Sequence, residues 1–177
     1  MTDAPACSPD LPAALADLTF RAGVRPRFTP EQLAELSAAA GLPPELQDAL
    51  GGAGVSPLAL KMGIVFTELT AERAVATMPV AGNEQPVGLL HGGAHLVLAE
   101  TLGSVAAKVA AGRDHNVVGI EIGATHHAAA RAGTVTGTAT AVHVGRTLIT
   151  HEVVMTGEDG RRLSTARITN LVLARQG

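Results

Sequence analysis

The spacing of hydrophobic residues changes twice along the 177-residue chain, near residue 56 and again at residue 92. Alternating apolar and polar positions predict two strands, at 62–69 and 74–79, followed by a loop over 81–90. The long apolar stretch that comes next predicts one helix over 92–111, which Gly112 ends. Glycine-containing turns then separate four further predicted strands, at 117–128, 133–142, 147–156 and 162–173.

The predicted helix has no polar face, so other elements must cover nearly all of its surface. A strongly curved antiparallel sheet wrapped around one long central helix meets this requirement, and the predicted fold class is therefore α+β. Such a sheet leaves its strand edges unpaired and one face uncovered. A second subunit can cover them, which favours dimerisation.

The first 55 residues have a different character. Residues 1–27 are rich in Ala, Pro and Asp, which predicts a poorly ordered leader with a short helical piece at 13–18. Thr29-Pro30-Glu31 predicts the start of a helix that runs to residue 40. A second short helix is predicted at 44–50, and the glycines in 51–54 predict a flexible joint. We therefore divide the chain into a partly disordered segment, 1–55, and one folded domain, 56–177.

Charge and composition exclude several classes of partner. The formal net charge is −3 and no basic block occurs, so we expect binding neither to nucleic acid nor to a membrane surface. The single cysteine, Cys7, cannot form an internal disulfide, and no signal peptide is visible, which together favour a cytoplasmic location. Glycines and a carboxylate interrupt the apolar helix, so we do not expect it to span a membrane. Without Trp or Tyr, any aromatic ligand would contact aliphatic walls.

One carboxylate, Glu100, lies inside the apolar helix, where a charge is costly unless it is paired, neutralised or used. Upstream, His91-Gly92-Gly93 predicts the start of the same helix, whose backbone N–H groups attract negative charge. Nine residues of helix separate His91 from Glu100 by about 13 Å and place them on opposite faces. Two helices related by a two-fold axis would bring both groups to one acyl centre, so we expect composite sites at a symmetric dimer interface.

At this point the sequence resembles a known family, the hotdog-fold acyl-CoA thioesterases of the phenylacetate-degradation type, which include the 1,4-dihydroxy-2-naphthoyl-CoA hydrolases. The resemblance covers residues 58–174. It rests on the motifs QPVGLLHGG at 85–93, LAETLGS at 98–104 and VGIEI at 118–122. It implies a hotdog fold, hydrolysis of an acyl-CoA thioester with an aromatic or bulky acyl group, and commonly a homotetramer built from dimers.

The resemblance also implies roles for five residues. Glu100 would act on the thioester as nucleophile or as base for water, and the Gly92 N–H would stabilise the oxyanion. Gln85 would orient the thioester or the water, His91 would position the groups near the sulfur, and Ser104 would bind water or the carboxylate. Structural alternatives remain for each: Glu100 as an interface pair, His91 as a helix cap, Gln85 as a turn residue and Ser104 as a small packing residue.

Coenzyme A, as part of the substrate, is the only cofactor that the resemblance implies. Arg131 and Arg146 are the candidate phosphate partners, unless they only solvate turns. Three alanines, 128–130, occupy positions where a polar or basic residue was expected, so a carrier-protein thioester remains an alternative to a CoA ester. The segments 126–127 and 143–147 are predicted to lie at the ends of adjacent strands, where the resemblance places the nucleotide and pantetheine arm of coenzyme A. The implied binding residues are Gly93, Gly119, His126, His127, Ala128, Ala129, Arg131, His143, Val144, Gly145, Arg146, Thr147 and Leu148.

Three other kinds of site have weaker support in the sequence. A metal site is not expected, because His91 and His95 lack the glutamate of the zinc motif and His126 and His127 should face opposite sides of a strand. A hotdog dehydratase would carry His-Phe-Pro-Gly, whereas His91 is followed by two glycines. A non-catalytic binder of acyl thioesters would not need Glu100 or the glycines at the helix start.

Overall fold

The computed structural model describes residues 29–46, residue 50 and residues 56–174. These contain three α-helices, one 3₁₀ turn (Pro44–Leu46) and eight strands. The helices are α1 (Pro30–Ala39), α2 (Pro57–Lys61) and α3 (Gly92–Ala111). The strands are β1 (Val65–Leu69), β2 (Arg73–Pro79), β3 (Glu84–Gln85), β4 (Leu89–Leu90), β5 (His115–His126), β6 (Thr134–Val144), β7 (Leu148–Thr156) and β8 (Arg162–Ala174).

Six strands form one antiparallel sheet in the order β1-β2-β6-β7-β8-β5, and α3 packs on it against β2, β5, β6, β7 and β8. The predicted α+β hotdog architecture and the bounds of the central helix are confirmed. By length and composition α3 could cross a membrane. However, Leu98, Leu102 and Ala106 are fully buried, so the apolar character of α3 matches that of a core helix.

The helix predicted after Thr29 is present as α1. Thr29 forms a capping box with Gln32, which satisfies backbone donors at the helix start. Leu36 and Ala40 of this region belong to the same buried core as the sheet, and the Phe66 N–H donates to the Ala40 carbonyl (2.7 Å). The segment before residue 56 thus adds to the core, while the division at residue 55 stays a prediction. The predicted leader at 1–27, with its helical piece at 13–18, and the joint at 51–54 lie outside the described residues. Residues 47–49, in the middle of the helix predicted at 44–50, also lie outside the described residues.

Two boundaries differ from the predictions. The first strand begins at Val65 instead of residue 62, because α2 occupies 57–61 and Gly63 then adopts a left-handed turn (φ 69°). The predicted loop over 81–90 contains a small two-stranded ribbon, β3–β4, in which Gln85 pairs with Leu89. This ribbon orients Gln85 just before the start of α3.

Strand β5 lies at the edge of the sheet, paired on one side only, with β8. Three of its apolar side chains, Val118, Ile120 and Ile122, are between 36% and 54% exposed. A long edge strand with exposed apolar residues is a site at which another strand can pair.

Candidate active site

Glu100 lies in the middle of α3, at the wall of a cavity of about 730 Å³. Ser104, one turn later, donates a hydrogen bond from Oγ to Glu100 Oε1 (3.1 Å), which fits their i, i+4 spacing. On the other side the carboxylate lies against the backbone of Gly119, where an added Cβ would be 2.8 Å from Glu100 Oε1. The carboxylate is therefore held between α3 and β5. Most of the remaining wall is aliphatic: Leu50, Leu58, Leu96, Val97, Val105, Val117 and Ile122.

The start of α3 forms a second part of the candidate site. His91 is the N-cap, and its Nδ1 accepts a hydrogen bond from the Gly93 N–H (2.8 Å). The neutral ring therefore carries its proton on Nε2. The Gly92 N–H has no hydrogen-bond partner within the part of the chain that the structure describes. It remains available to a ligand oxygen in the field of the helix N-terminus.

A second cavity, of about 340 Å³, lies beside the start of α3. Gln85 and Gly92 both line this cavity, as the predicted roles require, but Glu100 lines only the larger one. Within one protomer the carboxylate and the helix start therefore face different spaces, in agreement with the helical geometry. The remaining lining residues are Leu89, Leu90, His95, His126, His127, Ala128, Ala129 and Ala130.

Two histidines meet beside the helix start, with the ring centroids of His95 and His126 at 5.1 Å. Ser164 donates to the Thr125 carbonyl (3.1 Å), so its single proton is used and His126 Nδ1 (3.0 Å) must donate to the Ser164 hydroxyl. His126 then carries a lone pair on Nε2, close to Gly92.

His95 is 3% exposed, and burial beside His126 lowers its pKa from 6.5 to about 4, so it is neutral at physiological pH. Sequence reasoning considered this residue only as a metal ligand. Among residues 29–46, 50 and 56–174, no group of three or more His, Cys, Asp or Glu side chains is placed to hold a metal ion. His127 bonds Thr165 on the opposite face from His126, as strand alternation predicts.

The two predicted ligand-binding segments are not at the ends of adjacent strands, and that prediction is wrong. β7 and β8 lie between β6 and β5, and the β6–β7 hairpin lies at the far end of the sheet from His126. Leu148 pairs with Leu171, which pairs with Val118, eight residues before His126. The separation along the strand is roughly 26 Å. Within one protomer the residues His143, Val144, Gly145, Arg146, Thr147 and Leu148 are therefore far from His126 to Ala129.

A third cavity, of about 610 Å³, lies beside Ala128–Arg131 and is lined by both Arg131 and Arg161. Arg161 was not predicted as a site residue. Its guanidinium donates to the Ala129 carbonyl (3.3 Å) and lies 3.6 Å from Asp159. It brings a positive charge to the alanine segment where a basic residue was expected. No local sequence pattern indicates Arg161 as a site residue, because its approach to Ala129 depends on the pairing of β5 with β8.

Several proteins similar to this chain are named thioesterases. Residues 87–164 match the family model of the thioesterase superfamily. A proofreading thioesterase, EntH, of Cronobacter sakazakii is 42% identical over 71% of this chain and 93% of its own length. A solved mutant thioesterase of Pseudomonas aeruginosa is 33% identical, with a TM-score of 0.66 over 85% of this chain and 98% of that one. A thioesterase of Haemophilus influenzae is 29% identical, with the same TM-score over 85% and 94%. The chain belongs to the thioesterase superfamily and is a hydrolase of acyl thioesters.

Proposed function

We propose that the protein hydrolyses aromatic or bulky acyl-CoA thioesters, such as 1,4-dihydroxy-2-naphthoyl-CoA, in composite sites of a homodimer. The observation that carries this proposal is the distribution of groups over two cavities. Glu100 is fixed in one, while Gln85 and the unpaired Gly92 N–H line the other. A reaction that needs all three requires a second subunit.

Strand β5 supplies a surface on which that subunit can pair. A two-fold axis across β5 joins it to its own copy in antiparallel orientation. The His126 end of one strand then lies beside the His115 end of the other, where the β6–β7 hairpin also lies, since the Val172 N–H donates to the Thr147 carbonyl. Arg146 of the partner subunit would thus approach His126, and the two separated ligand segments would form one site for coenzyme A.

The proposed chemistry follows from these positions. The Gly92 N–H and the helix N-terminus polarise the thioester carbonyl, and Gln85 orients the carbonyl or the attacking water. Glu100 of the partner subunit either attacks the carbonyl carbon or removes a proton from the water. In both routes the carbon–sulfur bond breaks and the thiolate of coenzyme A takes up a proton. When Glu100 acts as base, the activated water becomes part of the released acid. When Glu100 is the nucleophile, water then hydrolyses the acyl–glutamate anhydride, which releases the acid and restores the carboxylate. His91 Nε2–H, on the solvent side of the cap, would approach the sulfur.

The acyl group is proposed to occupy the larger cavity. Its volume of about 730 Å³ exceeds what a short acyl chain fills, and its walls are mostly aliphatic, which suits a bulky aryl group.

We further propose that dimers assemble into a homotetramer through an apolar patch on the outer face of the sheet. The strand register places residues of β5, β8 and β7 side by side in this patch. The patch consists of the exposed residues Val118, Leu148 and Leu173, with the half-buried Leu171 paired between Val118 and Leu148. The single Cys7 supports the proposal of a reducing, cytoplasmic location.

A second candidate is release of acyl groups from a carrier protein. The three alanines at 128–130 support it, since they reduce the polar contacts available to a nucleotide. The Cronobacter relative is named a proofreading thioesterase, which fits the removal of unwanted acyl groups from either carrier. The two candidates share the same catalytic groups and differ in what carries the thioester.

The test is release of thiol from naphthoyl-, benzoyl-, phenylacetyl- and medium-chain acyl-CoA and from acylated carrier protein. We expect aromatic CoA esters to react fastest and Glu100→Gln to lower kcat by about 10³ or more. Glu152→Gln, which removes an exposed carboxylate on β7, is the matched control and should keep wild-type rates. Faster release from carrier protein favours the second candidate, and equal rates for wild type and Glu100→Gln contradict the proposed site.

A further inference from the structure

We propose that Asn170 is a positioning residue for Glu100, acting through Ser104; this inference rests on the hydrolase function proposed above. Asn170 lies on β8 and is completely buried. Its Oδ1 is 3.1 Å from Ser104 Oγ, which is itself 3.1 Å from Glu100 Oε1. The three side chains form one chain of hydrogen bonds that joins the sheet to the carboxylate on the helix.

The close approach of α3 to β8 makes this chain possible. Gly103 packs directly on Ile168, and a Cβ at residue 103 would overlap that side chain. The Asn170 Nδ2 group donates to the Gly103 carbonyl at 3.5 Å, a long and weak bond. A glycine next to Ser104 therefore lets an asparagine on the sheet reach the serine.

The buried amide has no evident role in packing. The neighbouring inward positions of β8, Ala166 and Ile168, are apolar and buried, so an aliphatic side chain at 170 would continue the core. Burying an amide costs free energy unless hydrogen bonds compensate for it. The contacts that compensate here are those with Ser104 and with the backbone of Gly103.

Counting protons shows what an amide supplies at this place. The Ser104 hydroxyl has one proton and two neighbouring acceptors, Glu100 Oε1 and Asn170 Oδ1. While Glu100 is ionised, a half-turn of the Asn170 amide gives up the long bond to the Gly103 carbonyl and lets Nδ2 donate to Ser104, which then donates to Glu100. Once Glu100 carries a proton, the carboxyl donates to Ser104, and Ser104 donates to Oδ1. The amide can therefore hold the serine in place in both protonation states of the carboxylate.

The test uses Asn170→Leu, Ser104→Ala and the double variant, with kcat and KM measured on the best CoA ester. We expect Asn170→Leu to lower kcat roughly tenfold with KM within about twofold, because substrate does not contact Asn170. In the Ser104→Ala background, Asn170→Leu should cause no further fall in kcat. Asn170→Asp, whose carboxylate competes for the serine proton, should also lower kcat.

The matched control is Thr169→Val, which removes a hydrogen bond to Thr150 on the opposite face of β8 and should keep the wild-type kcat. Circular dichroism and thermal unfolding identify variants that fail to fold, and Asn170→Asp then replaces Asn170→Leu in the comparison. An unchanged kcat for Asn170→Leu, or an equal fall with and without Ser104, overturns the positioning role alone. If wild type releases no thiol from any ester, the proposed function fails as well.

Discussion

Gly119→Ala is expected to displace the proposed catalytic carboxylate, because the three atoms nearest to a Cβ at this position all belong to the carboxyl group of Glu100. A Cβ at this position would lie 2.8 Å from Glu100 Oε1 and 3.3 Å from Oε2, whereas ordinary contacts begin at 3.4 Å. The carboxylate in Gly119→Ala must therefore move by about 0.6 Å, taken as the difference between these distances. Alanine is compatible with the backbone, since Gly119 is not among the glycines with positive φ.

The expected effect follows from the sensitivity of catalysis to position. A misplacement of 1 Å can cost about 10²-fold in rate, so a shift of roughly half that distance should lower kcat by about tenfold or more. The Glu100–Ser104 hydrogen bond has little freedom to follow the carboxylate, because Ser104 is also held by Asn170. The free energy of unfolding should change by less than about 1 kcal/mol, since the shift is confined to a partly exposed side chain.

The assay is thiol release from an aromatic CoA ester, with Gly123→Ala as the matched control. Gly123 lies on the same strand, and a Cβ there would meet only Glu121 Oε1 at 3.7 Å, an ordinary contact. Gly123→Ala should therefore keep the wild-type kcat. Full activity in Gly119→Ala, or equal losses in both variants, would refute the claim that the position of the Glu100 carboxylate limits turnover.

Mixing inactive Gln85→Ala and Glu100→Ala subunits should restore about a quarter of wild-type activity. Half of the dimers are then mixed, and each mixed dimer has one intact site out of two. No recovery after proven subunit exchange would exclude shared sites. Arg146→Ala should raise KM for CoA esters severalfold while leaving kcat, and an unchanged KM would remove it from the phosphate site. Burial lowers the pKa of both His95 and His151, so their neutral forms stabilise the fold above pH 6.5. As the pH falls from 6.5 to about 4, the free energy of unfolding should decrease, and His95 should account for roughly 3 kcal/mol of the decrease. Urea unfolding at several pH values tests this. No decrease, or the same decrease in His95→Asn, would contradict the role given to His95.

Local features of the sequence determined the central helix and much of its chemistry. A continuous apolar stretch with a glycine at its end fixed the bounds of α3, because both signals act within a few residues. The contact between Glu100 and Ser104 followed from helical periodicity, and so did the opposite faces of His91 and Glu100. The alternation of buried and exposed positions along β6 and β7 likewise reflects the two-residue period of a strand.

Only the tertiary structure decided which strands are neighbours, because alternation gives the face of a residue and carries no information about its pairing partner. Placing β5 beside β8, at the edge, brings Ser164 to His126 and Arg161 to Ala129. It also moves the β6–β7 hairpin to the far end of the sheet, against the sequence-based expectation.

The same holds for the contact between Asn170 and Ser104, which joins residues 66 positions apart. No local signal specifies that an asparagine on the last strand should meet a serine on the central helix. The packing of Gly103 on Ile168 decides it, since the missing side chain lets the helix approach β8 closely at this point. Sequence therefore specified the carboxylate and its helix, and the packing of helix on sheet decided what surrounds that carboxylate.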